Sequence, residues 1–132
     1  LQAPATDGAS ICITDPFYSE RPPKTAGREQ YGREFVAKLL AYKLDPNDLI
    51  ATATYFTAAA IAEGIARFCD GEEHPPDEVI VSGGGVHNKT LLRFLRAELP
   101  ETEVVRSEIA GIDPDAKEAI AYGLADKIVD KI

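Results

Sequence analysis

Val79-Ile80-Val81-Ser82-Gly83-Gly84-Gly85-Val86-His87-Asn88 reads as a short strand that runs into a glycine turn and then a helix start. An apolar run of this length, bounded by a turn signal, suits a strand buried in a parallel sheet. Glycines permit positive φ and let another group approach the backbone where a Cβ would block it. Asn88 is a good N-cap, Leu91, Leu95 and Leu99 form one apolar row on the helix it opens, and Pro100 stops that helix. Val104-Val105 begins a second short strand. The interval from Val79 to Val105 is therefore one βαβ unit, a parallel pair with a covering helix.

Working outward, the segments on either side read mainly as helices. Glu29 to Leu44 carries two i, i+4 rows, Tyr31-Phe35-Leu39 and Val36-Leu40-Leu44. Asp45-Pro46, cap and first helical residue, opens a second helix that runs to Cys69. Ala51 to Ala62 is almost entirely small, apolar or Thr, which predicts burial on most sides, with Glu63, Arg67 and Asp70 as the wet face. Gly71-Glu72-Glu73-His74-Pro75-Pro76 is a linker, and Asp113-Pro114 opens a last helix with the row Ala116, Ile120, Leu124, Ile128 and Ile132. Before the first helix, Ile11-Cys12-Ile13-Thr14 reads as a short strand, followed by the Pro-stiffened loop Arg21 to Gly27. The order αα-βαβ-α predicts an α/β layer fold with a small, largely parallel sheet. Residues 1–28 form a leading strand and connector, and residues 29–132 a single domain.

Composition narrows the function. The 132 residues are 45% apolar and 27% charged, enough for a core without disulfides or a structural metal. A formal charge of −8 argues against nonspecific nucleic-acid binding and against docking on an anionic membrane surface. Cys12 and Cys69 stand far apart without further ligands at metal spacing, so neither a zinc site nor a disulfide framework is expected, and buried free thiols suit a reducing cytosol. No run approaches eighteen consecutive apolar residues, so no membrane span is expected. The chain contains no Met, not even at its start, which fits a piece of a longer protein.

The candidate ligand site is the glycine turn. Gly83, Gly84 and Gly85 sit at a strand end, and the helix opened by Asn88 offers unpaired N–H groups to an anion. Ligands of open α/β sheets bind at such strand ends. A tight strand–helix turn would need only one glycine. The pattern is not the Rossmann fingerprint, because Asn88 stands where its last glycine would be, and Asn88-Lys89-Thr90 is only a near miss to a P-loop. A second block, Pro22-Pro23-Lys24-Thr25-Ala26-Gly27-Arg28-Glu29, reads either as a polar display before a helix or as a connector ending in a Thr-based cap. Asp45, Asp113 and Asp115 are cap or first-turn carboxylates. Glu118, set among Ala116, Ala119, Ile120 and Ala121, is the carboxylate that stands out as a functional candidate. His74 reads as a solvated linker residue, and His87 as either a ligand contact or a packing residue of the turn. No metal site and no Ser/His/Asp or Cys/His arrangement emerges from local spacing.

Together these blocks resemble the anhydro-N-acetylmuramic acid kinase family of the sugar-kinase/actin/Hsp70 superfamily. Pro22 to Glu29 matches a family pattern usually reading PPKSTGRE, with Thr25-Ala26 in place of Ser-Thr. Val81 to Asn88 is similar to the family's GGGAHN-like block, and Pro114 to Tyr122 resembles PDAMEALAFA, with Lys117 where Met is common. The Thr-rich helix Ala51 to Ala58 is similar to the family's ATLTELTA stretch. The resemblance runs from about Phe17 to the end, in block order. It implies a ribonuclease H-like C-terminal lobe whose turn Gly83, Gly84, Gly85 and Asn88 holds the adenosine of ATP, while Glu118 faces the sugar. The family's phosphate loop and its Asp-Thr-Gly-Pro-Gly-Asn block with the catalytic Asp are absent from these residues, so the resemblance places them in an N-terminal lobe.

For the whole enzyme the resemblance implies cleavage of the 1,6-anhydro ring with ATP and Mg²⁺, giving N-acetylmuramic acid 6-phosphate for peptidoglycan recycling. It also implies a cytoplasmic homodimer. The isolated lobe is then expected to lack turnover, because it supplies one wall of the site. The competing readings are a noncatalytic α/β nucleotide-binding or interaction module, and the lobe of a related sugar or acyl kinase. An exposed Ala51 to Ala62 face is expected to promote self-association.

Overall fold

The computed structural model describes residues 15–69 and 74–114. Helix α1 is Arg28–Tyr31, α2 Arg33–Leu40 and α3 Pro46–Phe68; strand β1 (Glu78–Val81), helix α4 (Lys89–Glu98) and strand β2 (Glu103–Arg106) follow. Short 3-10 turns cover Pro16–Ser19, Gly84–His87 and Ser107–Ala110. The chain divides into two compact units, Leu1–Pro75 and Pro76–Ile132.

The predicted βαβ unit is present in the second of these. Strands β1 and β2 pair in parallel, Val79 with Val104 and Ile80 with Val105, in a two-stranded sheet among the described residues. Helix α4 connects them, and Leu92, Leu95, Leu99, Val104 and Val105 are buried in this unit, together with Val86 from the turn. The two strands differ in cover. Val104 and Val105 are buried, whereas Ile80 on β1 keeps 51% of its surface.

In the first unit, α3 starts where the sequence predicts: the Asp45 carboxylate accepts from the Asn47 N–H at 2.9 Å, with Pro46 as the first helical residue. By length and composition alone this helix could cross a membrane, with mean hydropathy 1.4 over its most apolar window. Six of its residues, among them Ala51, Thr52, Phe56 and Ala58, are buried. The burial predicted for most sides of Ala51 to Ala62 is thus largely present, and the large exposed apolar residues of α3 are Ile50 and Ile61. Thr52, Thr54 and Thr57 return their hydroxyls to carbonyls one turn back, which satisfies these polar groups within the helix. Glu63 and Arg67 form the expected wet end, paired at 2.6 Å.

Three local expectations are corrected. The single helix from Glu29 to Leu44 is two, because Gly32, at φ −90° and ψ −136°, leaves helical geometry between α1 and α2, and α2 stops at Leu40. Its second apolar row faces solvent: Val36 and Leu40 are exposed, and Leu39 from the first row is buried. The cap of α1 is Gly27 rather than Thr25; the Gln30 side chain reaches back to accept from the Gly27 N–H, and Glu29 lies so close that a Cβ on Gly27 would come within 2.5 Å of its carboxylate. Cys69 is an exposed free thiol, not a buried one. The strand Ile11 to Thr14, Cys12, the last helix and Glu118 lie outside the described residues.

Candidate ligand site at the glycine turn

The site is built at the C-terminal end of β1. After Val81 the chain enters Gly83 at φ 86° and ψ 175°, a conformation essentially reserved for glycine. Gly84 to His87 then make one 3-10 turn, closed by the Val86 N–H on the Gly83 carbonyl at 3.1 Å and the Asn88 N–H on the Gly85 carbonyl at 3.1 Å. Val86 points inward, 2% exposed, and anchors the turn to the core of its unit. Asn88 acts as predicted: its Oδ1 accepts from the Leu91 N–H at 3.0 Å and opens α4.

The three glycines differ in what they answer to. Gly83 is required by its backbone angle. Gly85 has the Leu91 side chain at ordinary contact distance from where its Cβ would lie, 3.6 Å. Gly84 has neither constraint: its φ is not positive, and no described atom lies within 4 Å of a Cβ placed there. Nothing among the described residues demands a glycine at this position, and the space over Gly84 is open. No carbonyl or side chain among the described residues accepts from the N–H of Gly84 or Gly85.

A contact that the sequence does not announce ties this turn to the third motif block. The Ser82 hydroxyl donates to the Pro114 carbonyl at 3.0 Å, and the Gly83 N–H donates to the same oxygen at 2.7 Å. Ser82 Oγ and the strained glycine are thereby fixed against the start of the segment that carries Asp115 and Glu118. The pairing joins residues 32 positions apart, and no local pattern encodes it.

The Lys24 block belongs to the other unit, and of its polar groups Thr25 and Glu29 are exposed whereas Lys24 turns inward. Lys24 Nζ donates to the Phe17 and Tyr18 carbonyls at 2.9 and 3.2 Å and lies over the rings of Phe17, Tyr18 and Phe68. It therefore closes the 3-10 turn Pro16–Ser19 with a charge-assisted cap. Phe17, Tyr18, Tyr31, Phe35 and Phe56 form an aromatic cluster of edge-to-face and tilted ring contacts in which the Tyr18 and Tyr31 hydroxyls are hydrogen-bonded. They line a cavity of about 500 Å³. The i, i+4 pair Tyr31-Phe35 signals part of this cluster; Phe17 and Tyr18, in a loop, carry no periodicity that would. His74 and His87 are both exposed. Among the described residues no three His, Cys, Asp or Glu side chains gather as a metal site would need.

Residues 9–132 match the sequence model of the anhydro-N-acetylmuramic acid kinase family. The anhydro-N-acetylmuramic acid kinase of Caldanaerobacter subterraneus is 35% identical over 116 residues, which cover 85% of this chain and 29% of that protein. Those of Salinibacter ruber and Acaryochloris marina are 40% and 38% identical, over 82% and 85% of this chain and 28% and 30% of their own lengths. The chain thus spans less than a third of the length of the curated relatives it matches. By a family match that covers nearly all of its residues, this chain belongs to the anhydro-N-acetylmuramic acid kinase family.

Proposed function

We propose that this chain is the C-terminal, nucleotide-binding lobe of a kinase that opens the 1,6-anhydro ring of anhydro-N-acetylmuramic acid and phosphorylates O6. The observation that carries the reading is Gly84, a glycine with no demand on it from its own fold and open space where its side chain would be. A ligand lying on the backbone gives that space a use. The free N–H groups of Gly84 and Gly85, followed by the helix start at Asn88, suit the acceptor atoms of ATP.

ATP supplies the phosphoryl group when bound. The roles of this chain are then to bind and to orient. Gly83 sets the exit angle from β1, Gly84 and Gly85 present backbone to the adenosine side, and Val86 and Asn88 anchor the turn beneath it. Ser82 and Gly83, through the Pro114 carbonyl, fix where the segment bearing Glu118 departs, and Glu118 faces the sugar in this reading. The catalytic Asp and the phosphate loop belong to an N-terminal lobe. Among the described residues no three His, Cys, Asp or Glu side chains gather to hold Mg²⁺. The chain alone is therefore expected to bind adenine nucleotide weakly and to leave the anhydro sugar unphosphorylated. The working enzyme is a cytoplasmic homodimer of peptidoglycan recycling in this proposal.

The test is Gly84→Val. Titrating ATP into the chain and into the variant by calorimetry should show affinity reduced by at least about tenfold in the variant, roughly 1.4 kcal/mol, with the circular-dichroism spectrum unchanged. Equal ATP affinity in two equally folded proteins refutes the site.

A further inference from the structure

The Pro114 carbonyl accepts from two donors, the Ser82 hydroxyl at 3.0 Å and the Gly83 N–H at 2.7 Å. At Pro114 the residue is buried and its ring fixes φ, which leaves ψ as the backbone angle that turns the carbonyl. Holding that oxygen therefore sets the direction in which the chain continues toward Asp115 and Glu118. At the other end stands Gly83, with φ 86°. Glycine takes either sign of φ about equally well, so this angle persists only where neighbouring groups hold it. The Gly83 N–H is held by Pro114, and its carbonyl by the Val86 N–H at 3.1 Å. A trans peptide places the Gly84 N–H opposite the Gly83 carbonyl, so the same arrangement aims the Gly84 N–H. Ser82 itself is exposed, and no packing demand calls for a hydroxyl there.

We propose that Ser82 is a positioning residue that couples nucleotide occupancy of the glycine turn to the segment leading from Pro114 to Glu118. The inference rests on the nucleotide reading of the turn. With the clasp on Pro114 closed, Gly83 stays at the angle that aims the Gly84 N–H. With it open, Gly83 samples both signs of φ and that aim is lost. A nucleotide that accepts from the Gly84 N–H binds the closed form better, and so shifts the population toward it. Closure in turn fixes ψ of Pro114. Apparent nucleotide affinity scales with the closed fraction, and Ser82 raises that fraction by one hydrogen bond. By linkage the effect is reciprocal: whatever holds the Pro114 side closed raises nucleotide affinity by the same factor. The coupling lies within the compact unit Pro76–Ile132 and calls on no outside surface. Its consequence is an order of events, in which the nucleotide sets the sugar-side carboxylate in place.

An ATP titration followed by nuclear magnetic resonance of the isotope-labelled chain, Ser82→Ala and Ser82→Thr tests it. In the unmodified chain the Gly83 amide proton should move downfield as its bond to Pro114 tightens. The amides of Asp115 to Glu118 should shift along the same saturation curve. Ser82→Ala should weaken ATP binding by about two- to tenfold, the equilibrium worth of one hydrogen bond, with an unchanged circular-dichroism spectrum. At saturating ATP it should also reduce the shifts of Asp115 to Glu118, which a merely structural serine would leave alone. Ser82→Thr keeps the hydroxyl and should restore both readouts. ATP that binds the unmodified chain without moving Asp115 to Glu118, or that binds Ser82→Ala equally well, overturns the coupling and leaves the nucleotide site standing. A Ser82→Thr chain as weak as Ser82→Ala overturns the role of the hydroxyl. Failure of ATP to bind the unmodified chain overturns the nucleotide reading, and the coupling with it.

Discussion

Gly83 and Gly84 are adjacent and chemically identical, yet replacing each by Ala should have different consequences. At Gly83, with φ 86° and ψ 175°, a Cβ is held in a region that costs about 1–3 kcal/mol for other residues. Relaxing that strain would move the N–H that donates to Pro114 at 2.7 Å, so the loss should fall toward the upper part of that range. At Gly84 the φ is not positive and a Cβ meets no described atom within 4 Å, so the folded state accepts the methyl group. The unfolded chain loses freedom on the same change, which stabilises by about 0.4–1 kcal/mol. Urea titrations followed by circular dichroism should therefore separate the two variants by roughly 2.5–4 kcal/mol, with equal m-values. Equal losses in the two variants would refute the claim that Gly84 is free of structural demand, and with it the argument for a ligand there.

Further outcomes follow from contacts described above. Asn88→Ala removes the cap of α4 and should cost about 1 kcal/mol by the same titration, while Asn88→Asp keeps the acceptor and should cost little. Leu95→Ala empties a site only 2% exposed and should cost about 2–5 kcal/mol, against a few tenths for Arg93→Ala on the exposed face of the same helix. Lys24→Met keeps the apolar stem but removes the donor to the Phe17 and Tyr18 carbonyls; a loss of about 1–3 kcal/mol is expected, with the near-ultraviolet tyrosine signal of the aromatic cluster altered. A Lys24→Met chain as stable as the unmodified one would show that the ammonium is held there without stabilising the turn.

The parts of the fold that sequence makes legible are those governed by short-range chemistry. Asp45-Pro46 and Asn88 are caps in sequence and caps in the structure, and the glycine turn divides β1 from α4 where expected. The parallel β1–β2 pairing follows as well, because a helix between two short apolar runs leaves few alternatives. What misled was periodicity without context. Val36 and Leu40 repeat at helical spacing as faithfully as Phe35 and Leu39, but the backbone departs from the helix at Gly32, and only Leu39 of these four is buried. Pro22 to Glu29 reads equally as a polar display or as a connector, because a sequence shows which groups a loop owns, not which way each of them turns. Lys24 turns to carbonyls and rings six and seven residues behind it. At the glycine turn the residues were legible individually, and the differing reasons for Gly83, Gly84 and Gly85 were not, since these depend on angle and on neighbouring space. The tie to Pro114 is wholly tertiary.

That tie has a kinetic side. The Pro114 carbonyl closes a loop of 32 residues onto Ser82, yet most of the closure entropy has already been spent when β1 and β2 pair, because the sheet brings both ends near. What remains is a clasp of two hydrogen bonds on one oxygen, cheap to make once the βαβ unit exists and equally cheap to undo. Opening it requires neither strand separation nor exposure of Leu95. The Gly83 amide should then exchange with solvent by a local excursion while Val105, in the ladder, exchanges only when the unit unfolds. The glycine turn thus sits beside a latch that can open locally, so that its backbone can shift while the core beneath it stays closed.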